Sequence, residues 1–269
     1  MSDSRKTVSL VLGSGGARGH AHIGVIKALQ EQGLDIRNIA GTSIGAVIGG
    51  VYAAGKLDSY SDWAFKLRKR DFVSLLDLSF SLRSIFKGER IIEELKEQLG
   101  DAQIEDLDKR FTAVATSLYE QREVWLNKGS LFSAIRASAA VPGFFSPVLD
   151  NGRLLVDGGL VNPVPIAPTL NDSTDLTIAV NLAGKSADKT ECFETDDDLD
   201  AADLLVKSID VMQASIARLK LAAYAPDKTI DIPRDACTFF EFYRAEEMAE
   251  LGYERARKAL AGLTNELES

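Results

Sequence analysis

Apolar positions along the chain alternate between strand-like runs and helical spacing. "TVSLVL" (Thr7–Leu12) is β-branched and aliphatic and stops at a cluster of glycines, which predicts a buried strand entering a tight loop. Behind the loop, "HIGVIKALQEQG" sets Ile23, Ile26 and Leu29 at helical spacing and ends at Gly33, a natural residue just past a helix end. The unit then repeats. "DIRNIAG" (35–41) predicts a second strand, and "SIGAVIGGVYAAG" (43–55) a helix whose Ala46, Gly49, Gly50, Ala53 and Ala54 let it lie very close to a sheet. Such alternation predicts an α/β fold, a central mostly parallel sheet between helices.

Farther along, 59–88 mixes Trp63, Phe65, Phe72, Phe80 and Phe86 with basic residues and reads as helices and loops. An amphipathic helix follows at 89–100, a strand pair at 110–119 and 122–129, and a helix over 130–142 stopped by Pro142. "RLLVDGG" is a strand run ending in a turn at Asp157, Gly158 and Gly159. A strand at 175–182 precedes an acidic, exposed loop at 185–202 with no expected chemistry. A long helix at 203–224, a strand at 228–233 and a helix at 246–260 complete the pattern. No repeat or linker divides it, so one domain is expected across 1–269, its core at about 7–165 joined by the C-terminal helices.

Composition narrows the function classes. The 269 residues, 45% apolar and 26% charged, can bury an ordinary globular core. A net charge of −9 argues against a general nucleic-acid role, which needs a concentrated basic surface. Cys192 and Cys237 match neither a metal spacing nor a disulfide framework, and "VSLVL" is too short for a signal sequence, so a cytoplasmic chain with inert thiols is expected. The longest small-and-apolar stretch, 44–55, cannot cross a bilayer, so any membrane contact is peripheral. Segment 59–88 carries two readings: a lipid-facing patch whose Lys66, Arg68, Lys69 and Arg70 attract anionic headgroups, or a helix with its apolar face in the core and its basic face solvated.

"GTSIG" places Ser43 between Gly41 and Gly45. A G-x-S-x-G match arises by chance in roughly one chain in ten of this length, so context must decide. Strand signal before and helix signal after meet the context of a nucleophile elbow, where small neighbours let the backbone turn sharply and expose the serine. The alternative is a helix N-cap. "GSGGARG" (13–19) offers backbone N–H groups beside a helix N-terminus. A dinucleotide fingerprint starting at Gly13 requires glycine where Arg18 stands, and no P-loop pattern occurs, which leaves an oxyanion hole as the stronger reading. His20 and His22 are the only histidines and both precede Ser43, so a Ser-Asp-His order is excluded. A carboxylate with a raised pKa can serve as base instead; Asp157 is the candidate, against an ordinary Asp-Gly-Gly turn. "SADK" (186–189) fits S-x-x-K only by chance, having no elbow.

Together and in this order, "GSGGARG", "GTSIG", "ASAAVPGFF" and "DGG" resemble the four blocks of the patatin-like phospholipases, the third being the family's central block with its buried proline. The likeness runs from Thr7 to about Pro165 and is closest to bacterial, cytoplasmic, single-domain members related to the catalytic domain of neuropathy target esterase. It implies a modified α/β-hydrolase fold and hydrolysis of phospholipid or lysophospholipid esters through an acyl-enzyme, without metal or cofactor. It also implies Ser43 as nucleophile, Asp157 as base, and the N–H groups of Gly15, Gly16 and Ala17 as oxyanion hole. Arg18 would shape that loop or attract a headgroup phosphate, and Gly41, Gly45, Gly158 and Gly159 would support the turns. Two departures stand out: Ser14 where many members have Gly, and Gly159 where others have Ala. A regulatory or scaffolding protein of the same fold, with weak or no esterase activity, is the alternative.

Overall fold

The protein is seen in a computed structural model that describes residues 5–70, 78–81, 84–86, 95–97, 100, 102–186 and 201–261. Most of the acidic loop, with Cys192, most of the expected 89–100 helix and parts of 59–88 lie outside the described residues. The strands are β1 (Thr7–Leu12), β2 (Asp35–Thr42), a separate ribbon of β3 (Leu78–Ser81) and β4 (Ser84–Phe86), β5 (Arg110–Ser117), β6 (Arg122–Leu126), β7 (Val148–Asp150), β8 (Arg153–Asp157), β9 (Leu176–Gly184) and β10 (Lys228–Pro233). The described helices are α1 (Ala21–Glu31), α2 (Ile44–Ala53), α3 (Leu57–Lys66), α4 (Leu131–Ser138), α5 (Ala201–Tyr224) and α6 (Ala245–Leu260).

The main sheet runs β10-β9-β1-β2-β5-β8-β7. From β10 to β5 every neighbouring pair is parallel; β6, β7 and β8 pair antiparallel. This is the expected mostly parallel sheet. In β1, strand alternation sends Val8, Leu10 and Leu12 to a face shared with the apolar sides of α1, α2 and α6. Val11 turns to the other face, against Ala179, Val164, Ile166 and Ala217 of α5. Helices therefore cover both faces, and β1 is buried on both sides.

One pairing decides where the chemistry can sit. β6 takes one edge of β5 over Ala113–Ser117. On the opposite edge, β2 pairs with Arg110 to Val114 and ends, and β8 pairs antiparallel with Ala115 to Ser117. Thr42 is opposite Val114 and Asp157 opposite Ala115. The C-terminal ends of β2 and β8 thus meet head-on over two consecutive residues of β5.

Some boundaries differ from expectation. α4 ends at Ser138 rather than at Pro142, because the chain must leave the helix to bring Ala140 and Val141 against the sheet; Pro142 is only half-buried. β7 is an additional strand, and so are β3 and β4, which fall in 59–88 where helices and loops were expected. α5 begins at Ala201, two residues before the expected start.

Candidate active site

The turn from β2 into α2 puts Ser43 at φ 56° and ψ −124°, a left-handed conformation that costs a non-glycine residue of order 1–3 kcal/mol. Steric crowding explains the flanking glycines. A Cβ on Gly41 would lie 2.4 Å from the Gly45 carbonyl oxygen, and one on Gly45 would lie 2.1 Å from the Leu12 carbonyl oxygen. Ser43 occupies the N-cap position of α2, yet its side chain makes no capping hydrogen bond, so the capping role does not account for it. Its backbone N–H donates to Ser138 Oγ at 2.9 Å, and the Ser138 hydroxyl donates to the Val114 carbonyl at 2.6 Å. Thr42 Oγ1 donates to the Asn162 carbonyl at 2.9 Å.

Asp157 closes β8. Its N–H donates to the Ala140 carbonyl (2.9 Å) and its carbonyl accepts from Thr116 Oγ1 (2.9 Å). The turn reading of Asp-Gly-Gly is realised by one carboxylate oxygen: Oδ1 accepts from the Gly159 N–H at 2.7 Å. Oδ2 is buried without a hydrogen bond among the described residues. Ser43 and Asp157 are only 4% and 2% exposed. Burial pushes the Asp157 carboxyl up to about 6, and the Ser43 hydroxyl and the Gly159 N–H pull it partly back. The hydroxyl is thus near enough to act on the carboxyl, though the pair is not closed into a hydrogen bond of ordinary geometry. Gly158 lets β8 approach β5: a Cβ there would lie 2.0 Å from the Val114 carbonyl oxygen.

The glycine loop spans from β1 to a single 3-10 turn at Gly16–His20. The N–H of Gly13 donates to Val180 O and that of Ser14 to Pro163 O. Ala17 corrects an expectation. Its N–H donates to the Phe239 carbonyl at 2.9 Å, because the segment before α6 folds over the loop, so this group is already engaged. The N–H groups of Gly15 and Gly16 have no such partner among the described residues. Gly16 sits at φ +59°, where a Cβ would lie 2.6 Å from the Phe239 carbonyl oxygen.

Arg18 is buried. Its guanidinium donates to the carbonyls of Gly15 (3.1 Å), Leu182 (3.4 Å) and Arg234 (3.0 Å) and to Asp210 Oδ1 of α5 (2.8 Å). It shapes the loop and is not presented to a headgroup. The histidines do the same from beneath: His22 Nε2 lies 2.9 Å from Gly13 O, and His20 Nδ1 lies 3.1 Å from Ala17 O. Burial lowers both to about 4, so they are neutral at physiological pH. Cys237 is a buried free thiol pushed up to about 11, far from reactive.

Four contributors are not singled out as site residues by the sequence: two lie inside the central block and two, Asp210 and Gln213, outside every motif. Ser138 and Ala140 show what the central block does: one holds the elbow of Ser43, the other the backbone of Asp157. Asp210 and Gln213 come from α5. A Cβ on Gly159 would meet Gln213 Nε2 at 2.5 Å, Ser14 Oγ at 2.8 Å and Asp157 Oδ1 at 2.9 Å, so these polar atoms converge on one point beside the carboxylate.

A helix-flanked, mostly parallel sheet whose strand runs into a strained serine elbow beside a buried carboxylate defines a hydrolase of the α/β type. Comparison with known proteins gives the family. The sequence profile described as patatin-like phospholipase matches residues 10–170, and the chain belongs to the patatin-like phospholipase family. An NTE family protein of Mycobacterium tuberculosis is 36% identical over 96% of this chain and 92% of its own length. Neuropathy target esterase sws of Drosophila melanogaster is 34% identical over 75% of this chain, which spans 14% of that much longer protein. Among solved structures, VipD from Legionella pneumophila shares the fold, with a TM-score of 0.51 at 15% identity over 96% of this chain and 67% of VipD.

Proposed function

We propose that the protein is a serine hydrolase of phospholipid or lysophospholipid acyl esters, working through Ser43 and Asp157 without metal or organic cofactor. The observation that supports this most is the head-on meeting of β2 and β8, which leaves the strained serine beside a buried carboxylate. In this reading Asp157 accepts the proton as Ser43 Oγ bonds to the ester carbonyl carbon. The N–H groups of Gly15 and Gly16 hold the developing oxyanion. Collapse breaks the ester C–O bond, and Asp157 returns the proton to the leaving alkoxide, giving an acyl-serine and a free alcohol, the lysolipid from a phospholipid or the glycerophosphodiester from a lysophospholipid. Water, deprotonated by the same carboxylate, then releases the fatty acid.

A fluorophosphonate probe should label the wild-type protein and leave Ser43→Ala unlabelled. Asp157→Asn should keep the fold while losing roughly 10²–10⁴-fold in ester turnover, the usual worth of a general base. Full activity in either variant refutes the assignment.

A further inference from the structure

We infer that Gln213 of α5 holds the hydrolytic water against Asp157 in the second half-reaction, an inference that rests on the hydrolase reading above. α5 turns one stripe inward, Ile209, Gln213 and Ala217, at the four-residue spacing of a helix face. Ile209 and Ala217 are the side chains such a stripe calls for. Gln213 is not: it is only 7% exposed, and its amide makes no hydrogen bond among the described residues. A buried amide without partners costs about 1–3 kcal/mol, so a plain packing role would be served better by Leu or Met. The surroundings of the amide supply another role.

Nε2 of Gln213, Oγ of Ser14 and Oδ1 of Asp157 lie 2.5, 2.8 and 2.9 Å from one point, the position a Cβ on residue 159 would take. No two of them are therefore more than about 6 Å apart, the span one water bridges with two hydrogen bonds of about 2.8 Å. Their chemistry complements a water. The carboxylate accepts one of its protons, the Ser14 hydroxyl accepts the other, and the amide N–H donates to one lone pair. The second lone pair is left for the acyl carbon. Ser14 is also 7% exposed and without a hydrogen bond for its hydroxyl among the described residues, but that hydroxyl rotates, which makes it the weaker holder. A neutral amide suits the place. A cation would pair with Asp157 and lower its basicity, whereas an amide orients the water without taking its proton, as glutamine does in some nucleotide hydrolases. In this step the water oxygen bonds to the acyl carbonyl carbon, its proton passes to Asp157, and collapse breaks the bond to Ser43 Oγ. The proton returns from Asp157 to that oxygen, leaving a free fatty acid and the serine hydroxyl.

The test separates the two half-reactions with 4-nitrophenyl butyrate, whose leaving group departs without a proton. Decay of butyryl-Ser43 is followed directly by quench-flow mass spectrometry, so a wild type limited by acylation does not mask the effect. Gln213→Met, which keeps the length and fits a buried stripe, should acylate and react with a fluorophosphonate within about twofold of wild type. Its acyl-enzyme should decay about 10–100-fold more slowly, giving a burst of nitrophenol and a kcat and KM that fall together. Gln213→Glu should move the acid limb of kcat/KM to higher pH, because a second carboxylate beside Asp157 disfavours its charge. Decay at the wild-type rate in Gln213→Met, or an unmoved acid limb in Gln213→Glu, overturns the proposal. Equal slowing of labelling, acylation and decay overturns it too, since that marks a structural role. So does a loss confined to acylation by alkyl esters, because the amide then serves the leaving alcohol. Failure of the hydrolase reading is distinct: a wild type that neither forms butyryl-Ser43 nor takes the fluorophosphonate overturns that reading and this inference with it.

Discussion

The two oxygens of Asp157 are differently placed, and that separation suits the residue to the role of base proposed for it. Oδ1 is fixed by the Gly159 N–H, so the carboxyl cannot rotate freely, while Oδ2 is buried with no hydrogen bond of ordinary geometry among the described residues. A base must be deprotonated to act, and burial holds this carboxyl at about 6. We expect kcat/KM for a neutral ester to be flat above pH 7 and to fall about tenfold per pH unit below about 6. A profile still flat down to pH 4.5 would remove Asp157 as base. The departures at Ser14 and Gly159 are also coupled, since Ser14 Oγ lies 2.8 Å from where a residue-159 Cβ would be. Gly159→Ala should cost about tenfold in kcat, and adding Ser14→Gly should recover most of it, whereas independent sites would simply add. Both departures were visible in the sequence as separate small residues. Their contact was not, because it depends on loops brought together only by the sheet. For the same reason Ser43, Asp157 and the glycine loop were legible as motifs, but the engagement of the Ala17 N–H by the distant Phe239 carbonyl was not.

At the scale of elements, α1 and α6 pack with their backbones nearly in contact. A Cβ on Gly24 would lie 1.8 Å from the Ala249 carbonyl oxygen, and one on Gly252 would lie 2.0 Å from the Ala21 carbonyl oxygen. Both obstacles are backbone, so neither can move aside without separating the helices. Gly252→Ala should therefore destabilise the protein by about 1–3 kcal/mol, as overpacking does, lowering Tm by roughly 2–4 °C per kcal/mol. An unchanged Tm would mean the pair can slide. The consequence reaches the site, since Met248 of α6 packs with Cys237 on Ala17 in the glycine loop. The two helices and the strands β1, β2, β5, β9 and β10 were readable from periodicity because each buries a regular stripe. β7 was not, for three residues carry too little pattern. The insertion of β8 beyond the end of β2 was unreadable for another reason: strand pairing is a long-range property that no local spacing encodes.

For the whole molecule, the Asp157 carboxylate and the histidines under the loop pull stability in opposite directions as pH falls. His20 and His22 are held neutral, at about 4 against an ordinary 6.5. The unfolded chain therefore takes up protons first, and stability is lost as pH drops from 6.5 towards 4. Asp157 is raised from 3.8 to about 6, so the folded state takes up its proton first and stability is gained as pH drops through 6 towards 3.8. Each effect is on the order of a few kcal/mol, and two histidines outweigh one aspartate. Urea unfolding of the wild type should thus show lower stability at pH 5 than at pH 7. Asp157→Asn removes the opposing contribution along with a buried charge. That variant should be more stable than wild type at pH 7 and should lose more stability between pH 7 and pH 5. A variant less stable at pH 7, or with the same loss on acidification, would show that Asp157 is not held as a costly buried anion. The proposed base would then need its reactivity from another source.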